Sequence, residues 1–586
     1  MSRKITFKRA LLGLAVASAF AGPLHASTSG MLDQTFGSNG IQTTSFSAGD
    51  DVALAAAMTS DERVILAGTA DVTEAQRFSA LRYLSNGNLD TTFATDGKAQ
   101  VVFSATHIGE TATSVTVDAA GRVLLAGYVI RSDGSMVPAL ARLLPNGAPD
   151  PEFGSTADGK VMVTGLPGDA AIEAVALDSK GRIVLTGWAE NTAGNREFFT
   201  ARMLTDGRFD VTFDENGWTL TPIGPSDDIA RDLAILPDDR IVVAGGACDS
   251  NNCGPDGRYN FAFARYTESG ALDPTFQDDG RLSISTAVLG YSNGASSLAL
   301  QEDGKLVAAG GRAKGDDDFR QRHDFALVRI HADGRLDESF GDRGWTVTPI
   351  GLDASAAEDV AVMGDGRILA GGLALYNTVN TDFATMRYLP DGQVDYEFGN
   401  RGTGVITTAV GNGASGAEAL LLQDDGAIVA AGFGDASTSQ IDFAAVRYLA
   451  EDVTPSAFAF PAINDARQGE LTASAAIRVD GFSSPTQIRA FQGKLPWENL
   501  AEYRVNNGEW TREPGMVEPG DVVQVRHTAS WEIGGEVVTT LSAGGVHAEF
   551  TTVTTREPDG GGGAFSLLGL AAFSLPLLLS FRRRRA

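Results

Sequence analysis

The chain has 586 residues, 43% of them hydrophobic and 20% charged, with 69 glycines and a formal net charge of −28. That length exceeds one ordinary core, so two or more units are expected, and the apolar share excludes a disordered chain. So acidic a body repels nucleic-acid phosphates, which excludes nucleic acid as a partner, and it repels anionic headgroups.

Residues 1–26 read as a secretory signal peptide. Arg3, Lys4, Lys8 and Arg9 form a basic start, and Ala10 to Ala21 a short apolar stretch. Ala26, before Ser27, is the expected cleavage position, although Leu24 is larger than usual two residues earlier. An apolar stretch this short is a poor membrane span.

Residues 31–449 are repetitive, and the repeat is the strongest signal in the sequence. The segment LDQTFGSNG at Leu32 to Gly40 recurs, and its phenylalanines are Phe36, Phe93, Phe153, Phe213, Phe276, Phe340 and Phe398, 57 to 64 residues apart. A second marker is a short apolar run ending in glycine, such as RVILAG, with Gly68, Gly127, Gly187, Gly245, Gly310, Gly372 and Gly432. A third, such as FSALRYL, carries Arg82, Arg142, Arg202, Arg265, Arg329, Arg387 and Arg447. Each marker counts seven.

One unit reads as four short strands, for example Lys98 to Phe103, Thr113 to Val117, Val123 to Gly127 and Ala139 to Leu144, separated by glycine turns. No stretch between the termini keeps a helical apolar period. Four-stranded units repeated about an axis predict an all-β, seven-bladed β-propeller. The first repeat opens with an extra strand, Ile41 to Phe46, and the last, ending at Leu449, lacks one. The extra strand is therefore expected to complete the last blade and close the ring.

The three markers, LDxxFG, G-[RK]-[IV]-[VL]-x-[AT]-G and FAxxRYL, resemble delta-60 repeats, a bacterial β-propeller family of largely unassigned function. The resemblance covers about Met31 to Leu449. Its third LDxxF copy departs, with Pro149 for leucine and an insertion at Ser155 to Ala157.

Residues 451–556 alternate apolar and polar positions around glycine turns, with Asn507-Gly508 as a hairpin turn. They read as a small β-sandwich similar to the Ig-like repeats of bacterial surface proteins. A Gly-rich linker, 557–563, contains Gly560, Gly561, Gly562 and Gly563. In 564–586 an apolar run, Ala564 to Phe581, precedes four arginines, Arg582 to Arg585. The run is barely long enough for a transmembrane helix, with its arginines cytoplasmic. Glycines, helix and arginines in that order resemble the GlyGly-CTERM sorting signal. That resemblance implies processing near the glycines by a rhombosortase-type protease, passage through type II secretion, and membrane attachment through the C-terminal helix before cleavage. The expected location is an inner-membrane anchored precursor, then the cell surface or the exterior.

Arginines and aspartates present in every repeat (Asp33, Asp90, Asp150, Asp210, Asp273, Asp337, Asp395) are expected to pair within blades, not to form a site. Function is expected where repeats differ. The stretch between the second and third markers spans 14 or 15 residues, except for 20 and 19 in the fourth and fifth units. The fourth carries Cys248, Asp249, Asn251, Cys253 and Asp256; the fifth carries Lys314, Asp316, Asp317, Asp318, Arg320, Arg322 and His323. These loops form the expected ligand or partner patch. Cys248 and Cys253 are the expected disulfide of an exported protein. No cofactor is expected, although calcium would suit loops such as Asp316 to Asp318; no EF-hand spacing or HExxH zinc motif occurs. Ser292 in GYSNG and the GNGASG run at Gly411 to Gly416 lack the strand–helix context their motifs require. The expected function is non-catalytic recognition of protein or glycan by an exported protein. The alternative is a secreted polysaccharide hydrolase or lyase, which carboxylates from different blades meeting in one central pocket would favour.

Overall fold

The structure is a computed structural model. It describes residues 30–555, apart from 73–74, 251–258, 286–290, 314–322, 352–354, 376–379, 400–402, 436–439, 450–454, 481, 483–485, 493–500, 514 and 544–545. Every regular element among the described residues is a β-strand, and none of these residues forms a helix long and apolar enough to cross a membrane.

Seven four-stranded antiparallel sheets occupy the repeats. Their inner strands are Asp51–Met58, Gly109–Val117, Ala170–Leu177, Asp228–Ile235, Tyr291–Leu300, Ser355–Val362 and Gly416–Leu422. Each inner strand contacts those of the sheets before and after it, and the last contacts the first, so the seven close around an axis. We number the sheets as blades 1 to 7. Blades 4 and 5 are also joined by a parallel bridge from Tyr259 to Asn293.

Closure uses the expected strand. Ile41–Thr44 pairs antiparallel with Ile441–Tyr448, with Ile41 opposite Val446 and Thr44 opposite Phe443, and forms the outer strand of blade 7. The sequence repeat is consequently offset from the blade by one strand. Lys98–Val101, which opens a sequence unit, is the outer strand of blade 1 and pairs with Ala75–Tyr83. Inner strands also begin earlier than alternation predicts, at Gly109 and not Thr113 in blade 2.

The repeated residues hold the blades. All seven marker phenylalanines are fully buried. Arg202 is typical of its set: its Nε donates to Asp210 Oδ2 (2.8 Å), Nη2 to Thr212 Oγ1 (3.0 Å), and Nη1 to the Glu268 carbonyl of the next blade. Its guanidinium also lies 5.1 Å from the Phe213 ring centre. The arginine therefore ties each blade internally, as expected, and in blades 1 to 5 and 7 it staples the blade to the following one as well. Arg447 closes the circle, with Nη1 3.2 Å from Asp33 and 3.3 Å from the Ser85 carbonyl.

Residues 455–555 form two sheets around a common apolar core that includes Ile488, Val523, Val525, Leu541 and Phe550. One sheet has the order Ile463–Ala466, Val546–Thr554, Glu536–Ala543, Thr486–Phe491, Gly515–Val517. In the other, Val522–Thr528 pairs with Leu471–Ala473, Ile477–Arg478 and Glu502–Val505. The turn after Val505 centres on Asn506 and Asn507 (φ 51° and 60°), one residue before the expected pair, and the Gly508 amide bonds the Val505 carbonyl at 2.8 Å. Asparagine tolerates the left-handed region that both central positions of this turn require.

Candidate functional site

Every inner strand contains a β-bulge at the same position, and that of blade 5 has a second register shift, between Ser292 and Ala295. In blade 3, Ile172 pairs with Gly187 and Ala174 with Thr186, so Glu173 is left without a ladder partner. The corresponding unpaired residues are Leu54, Thr113, Arg231, Ser296, Glu358 and Glu418. A bulge re-aims its extra side chain and bends its strand. Here all seven extra side chains line one axial cavity of about 380 Å³.

The cause lies in the second marker. Its closing glycine sits opposite the bulge, and a Cβ at Gly187 would overlap the carbonyl oxygen of Ala171. The same overlap recurs at Gly68 with Val52, Gly127 with Thr111, Gly245 with Ile229, Gly310 with Gly294, Gly372 with Ala356 and Gly432 with Gly416. Only a residue without Cβ admits that approach.

The residue after the bulge latches blade to blade. Ser114 Oγ accepts from the Val175 amide of blade 3 at 3.1 Å, and Asp232 Oδ2 from the Leu298 amide of blade 5 at 2.7 Å. Asp359 Oδ2 accepts from the Leu420 amide of blade 7 at 2.6 Å. Ser297 Oγ lies 3.1 Å from Asp232 Oδ2 and donates to Asp359 Oδ1 at 2.7 Å, so a polar chain spans blades 4 to 7.

The bulged residues face the cavity unequally. Burial raises the Glu173 carboxyl, opposed by the charge of Arg231, a hydrogen bond from the Trp188 indole and the charge of Arg196. The Arg196 guanidinium itself lies 4.1 Å from the Trp188 ring centre. Burial likewise raises Glu358, opposed by Arg231 and a hydrogen bond from Ser296. Glu418 is pushed up to about 8 by burial and by the neighbouring charge of Glu358. Asp232 is pushed up to about 7 by burial and by Asp359. Arg231 is exposed within the cavity and has no ion pair within 4.0 Å among the described residues. The cavity thus combines carboxyl groups, one guanidinium and the hydroxyls of Thr113, Ser114, Ser296 and Ser297. Carboxyl groups from blades 3, 4, 6 and 7 converge there.

Of the expected patch, Asp249 is exposed directly after the strand that ends at Cys248, and His323 begins the third strand of blade 5. Cys248 is disulfide-bonded. Asn251, Cys253, Asp256, Asp316, Asp317, Asp318, Arg320 and Arg322 lie outside the described residues, as do Ala26 and Gly560, Gly561, Gly562 and Gly563. Among the described residues no group of three or more His, Cys, Asp or Glu is placed to hold a metal ion. Sequence reasoning passed over the bulged ring, although the closing glycine of the second marker was its signal.

Six segments, residues 59–93, 121–153, 181–213, 236–276, 301–340 and 364–398, match a family model described as "Domain of unknown function (DUF5122) beta-propeller". The chain is a repeat β-propeller. Each matched segment ends on a marker phenylalanine. No curated protein matches the propeller. Among solved structures it is similar to a PL25 ulvan lyase bound to -[GlcA(1-4)Rha3S]-, with TM-score 0.42, 10% identity, 70% of this chain and 96% of that one covered. It is similar to Sqt1 of Chaetomium thermophilum bound to the N-terminus of ribosomal protein L10, with TM-score 0.34, 9% identity and 70% and 100% covered. A third is the GH93 α-L-arabinofuranosidase of Fusarium graminearum with arabinobiose, with TM-score 0.35, 11% identity and 68% and 95% covered.

Proposed function

We propose that this propeller is an exported glycan-recognition protein whose ligand enters the axial cavity. The observation that carries the reading is the ring of seven bulged side chains around one cavity of about 380 Å³. That volume falls within the roughly 300–1,000 Å³ of small-molecule sites. Hydroxyl and carboxyl groups from several blades suit a ligand rich in hydroxyls, because each sugar hydroxyl both donates and accepts. Export rests on the N-terminal signal. Release or display rests on the glycine run, the apolar run after it and the arginines in the sequence, with rhombosortase-type processing and type II secretion as the route. The second domain is read as an Ig-like spacer, and the longer inserts of the fourth and fifth sequence units as contacts for larger partners.

A specific observation favours a second reading, cleavage of the glycan. Glu358 and Glu418 stand on adjacent blades with unlike surroundings, Glu358 facing Arg231 and Ser296 and Glu418 facing Glu358, and two carboxyls in unlike surroundings are the pattern of a general acid and its partner. A panel of oligosaccharides incubated with the purified chain separates the two. Recognition predicts retention without new reducing ends; cleavage predicts reducing ends that vanish in Glu418→Gln. Retention unchanged by Glu173→Gln, Arg231→Gln and Glu358→Gln would overturn the cavity as the site.

A further inference from the structure

The carboxyl of blade 7 differs from the others of the bulged ring in what compensates it. Glu173 and Glu358 both face Arg231, and each has a hydrogen-bond donor of its own, Trp188 and Ser296 respectively. Glu418 has neither: among the described residues no cation or side-chain donor stands beside it, and its charged neighbour is Glu358. The other ionisable groups lining the cavity are Asp232 and Asp359, whose oxygens already accept backbone amides of the next blade.

We propose that Glu358 and Glu418 clasp a primary ammonium group, so that the glycan taken by the cavity is an amino sugar with a free amine. The inference rests on the cavity being the glycan site. Two like charges in one cavity are tolerated either by holding a proton between them or by binding a cation. An ammonium offers three N–H donors and one positive charge, which answers two carboxylates on neighbouring blades. The hydroxyls of Thr113, Ser114 and Ser297 are already bonded between blades and that of Ser296 to Glu358, so Glu173 and Arg231 are the groups left to meet the sugar's own hydroxyls. A chain of net charge −28 also concentrates cations near its surface. Filling the clasp with a cation displaces the proton it otherwise holds, so binding releases protons.

The test uses the full chain and three probes, glucosamine, N-acetylglucosamine and glucose, titrated calorimetrically near neutral pH in two buffers of different ionisation heat. Glucosamine is expected to bind at least about tenfold more tightly than the other two, with a heat that depends on the buffer. Glu418→Gln is expected to erase that preference, so that glucosamine and N-acetylglucosamine bind the variant alike; Glu358→Gln is the second variant, and melting curves check that both fold. Equal affinities for the three sugars, or a preference untouched by either variant, would overturn the ammonium clasp and leave the cavity standing as a neutral-glycan site. If a lysine-bearing peptide binds and no sugar does, the ligand is a protein and the amino-sugar proposal fails. If no probe binds and the ring variants change nothing, the cavity itself is the wrong site.

Discussion

Tyr448 donates its phenolic hydrogen to Thr408 Oγ1 across the junction of blades 6 and 7, at 2.9 Å. The same pair recurs as Tyr83–Thr44, Tyr266–Thr221 and Tyr388–Thr348. Where the tyrosine is replaced, its partner position is apolar too: Leu143 shares a core with Val101, Met203 with Val163, and Ile330 with Ile284. Polar meets polar and apolar meets apolar at all seven junctions, because a buried hydroxyl without a partner is costly.

Tyr448→Phe should therefore cost about 1 kcal/mol, and Thr408→Val about 1–3 kcal/mol because it strands the tyrosine hydroxyl. The double variant should recover part of the loss. Chemical unfolding of the four proteins in a double-mutant cycle checks the coupling; additive losses would refute the pairing.

Arg202→Lys should destabilise although it keeps the charge. Lysine cannot reach Asp210, Thr212 and the Glu268 carbonyl together, as the fork of Arg202 does. Arg202→Ala should cost about 3 kcal/mol, since buried Asp210 then keeps only the more distant Arg182 at 3.6 Å and its Thr212 hydrogen bonds. Denaturant midpoints of the two variants measure the difference.

Gly187→Ala tests the bulge. Its methyl group would overlap the Ala171 carbonyl, so the strands must part or the bulge must move. Overpacking of this kind costs about 1–3 kcal/mol. Glu173 should be displaced with the bulge, so any ligand of the cavity should weaken along with the melting temperature. A full-strength ligand response in a destabilised variant would separate bulge from site.

Stability should fall as pH rises toward 8. Asp232 is raised from 3.8 to about 7 and Glu418 from 4.5 to about 8. Between each pair of values the folded chain holds a proton that the unfolded chain has lost, so the folded state is favoured on the acid side and that advantage disappears as pH climbs past the folded value. Asp232→Asn should flatten the lower part of this slope and Glu418→Gln the upper part. Melting temperatures taken from about pH 5 to about pH 8.5 give the curve.

Much of this architecture is legible in the sequence. Seven copies of Phe36 and of Arg82 fix the count of blades, and the unpaired Ile41–Thr44 segment announces the closing strand, because both are matters of spacing along the chain. The cavity could not be read that way. Glu173 sits among alanines and isoleucine in AAIEAVAL, where strict alternation assigns it a face, and the bulge after Ile172 then turns it out of register. What a lone sequence does record is the glycine opposite, since Gly187 is needed only if the neighbouring strand bows toward it. The turn at Asn506–Asn507 was misplaced by one residue for a simpler reason: asparagine and glycine both accept positive φ, and three such residues stand in a row.

A residue whose backbone has no ladder partner is also released from the demands of the sheet. Read once around the axis, the bulged positions spell Leu, Thr, Glu, Arg, Ser, Glu, Glu, whereas the glycine facing them never changes. Duplication of a blade would copy the glycine and the bow it permits, and leave one adjacent letter open to rewriting at little cost to folding. A nearly seven-fold frame can in this way enclose a site with no symmetry of its own, and its chemistry can be re-specified one letter at a time.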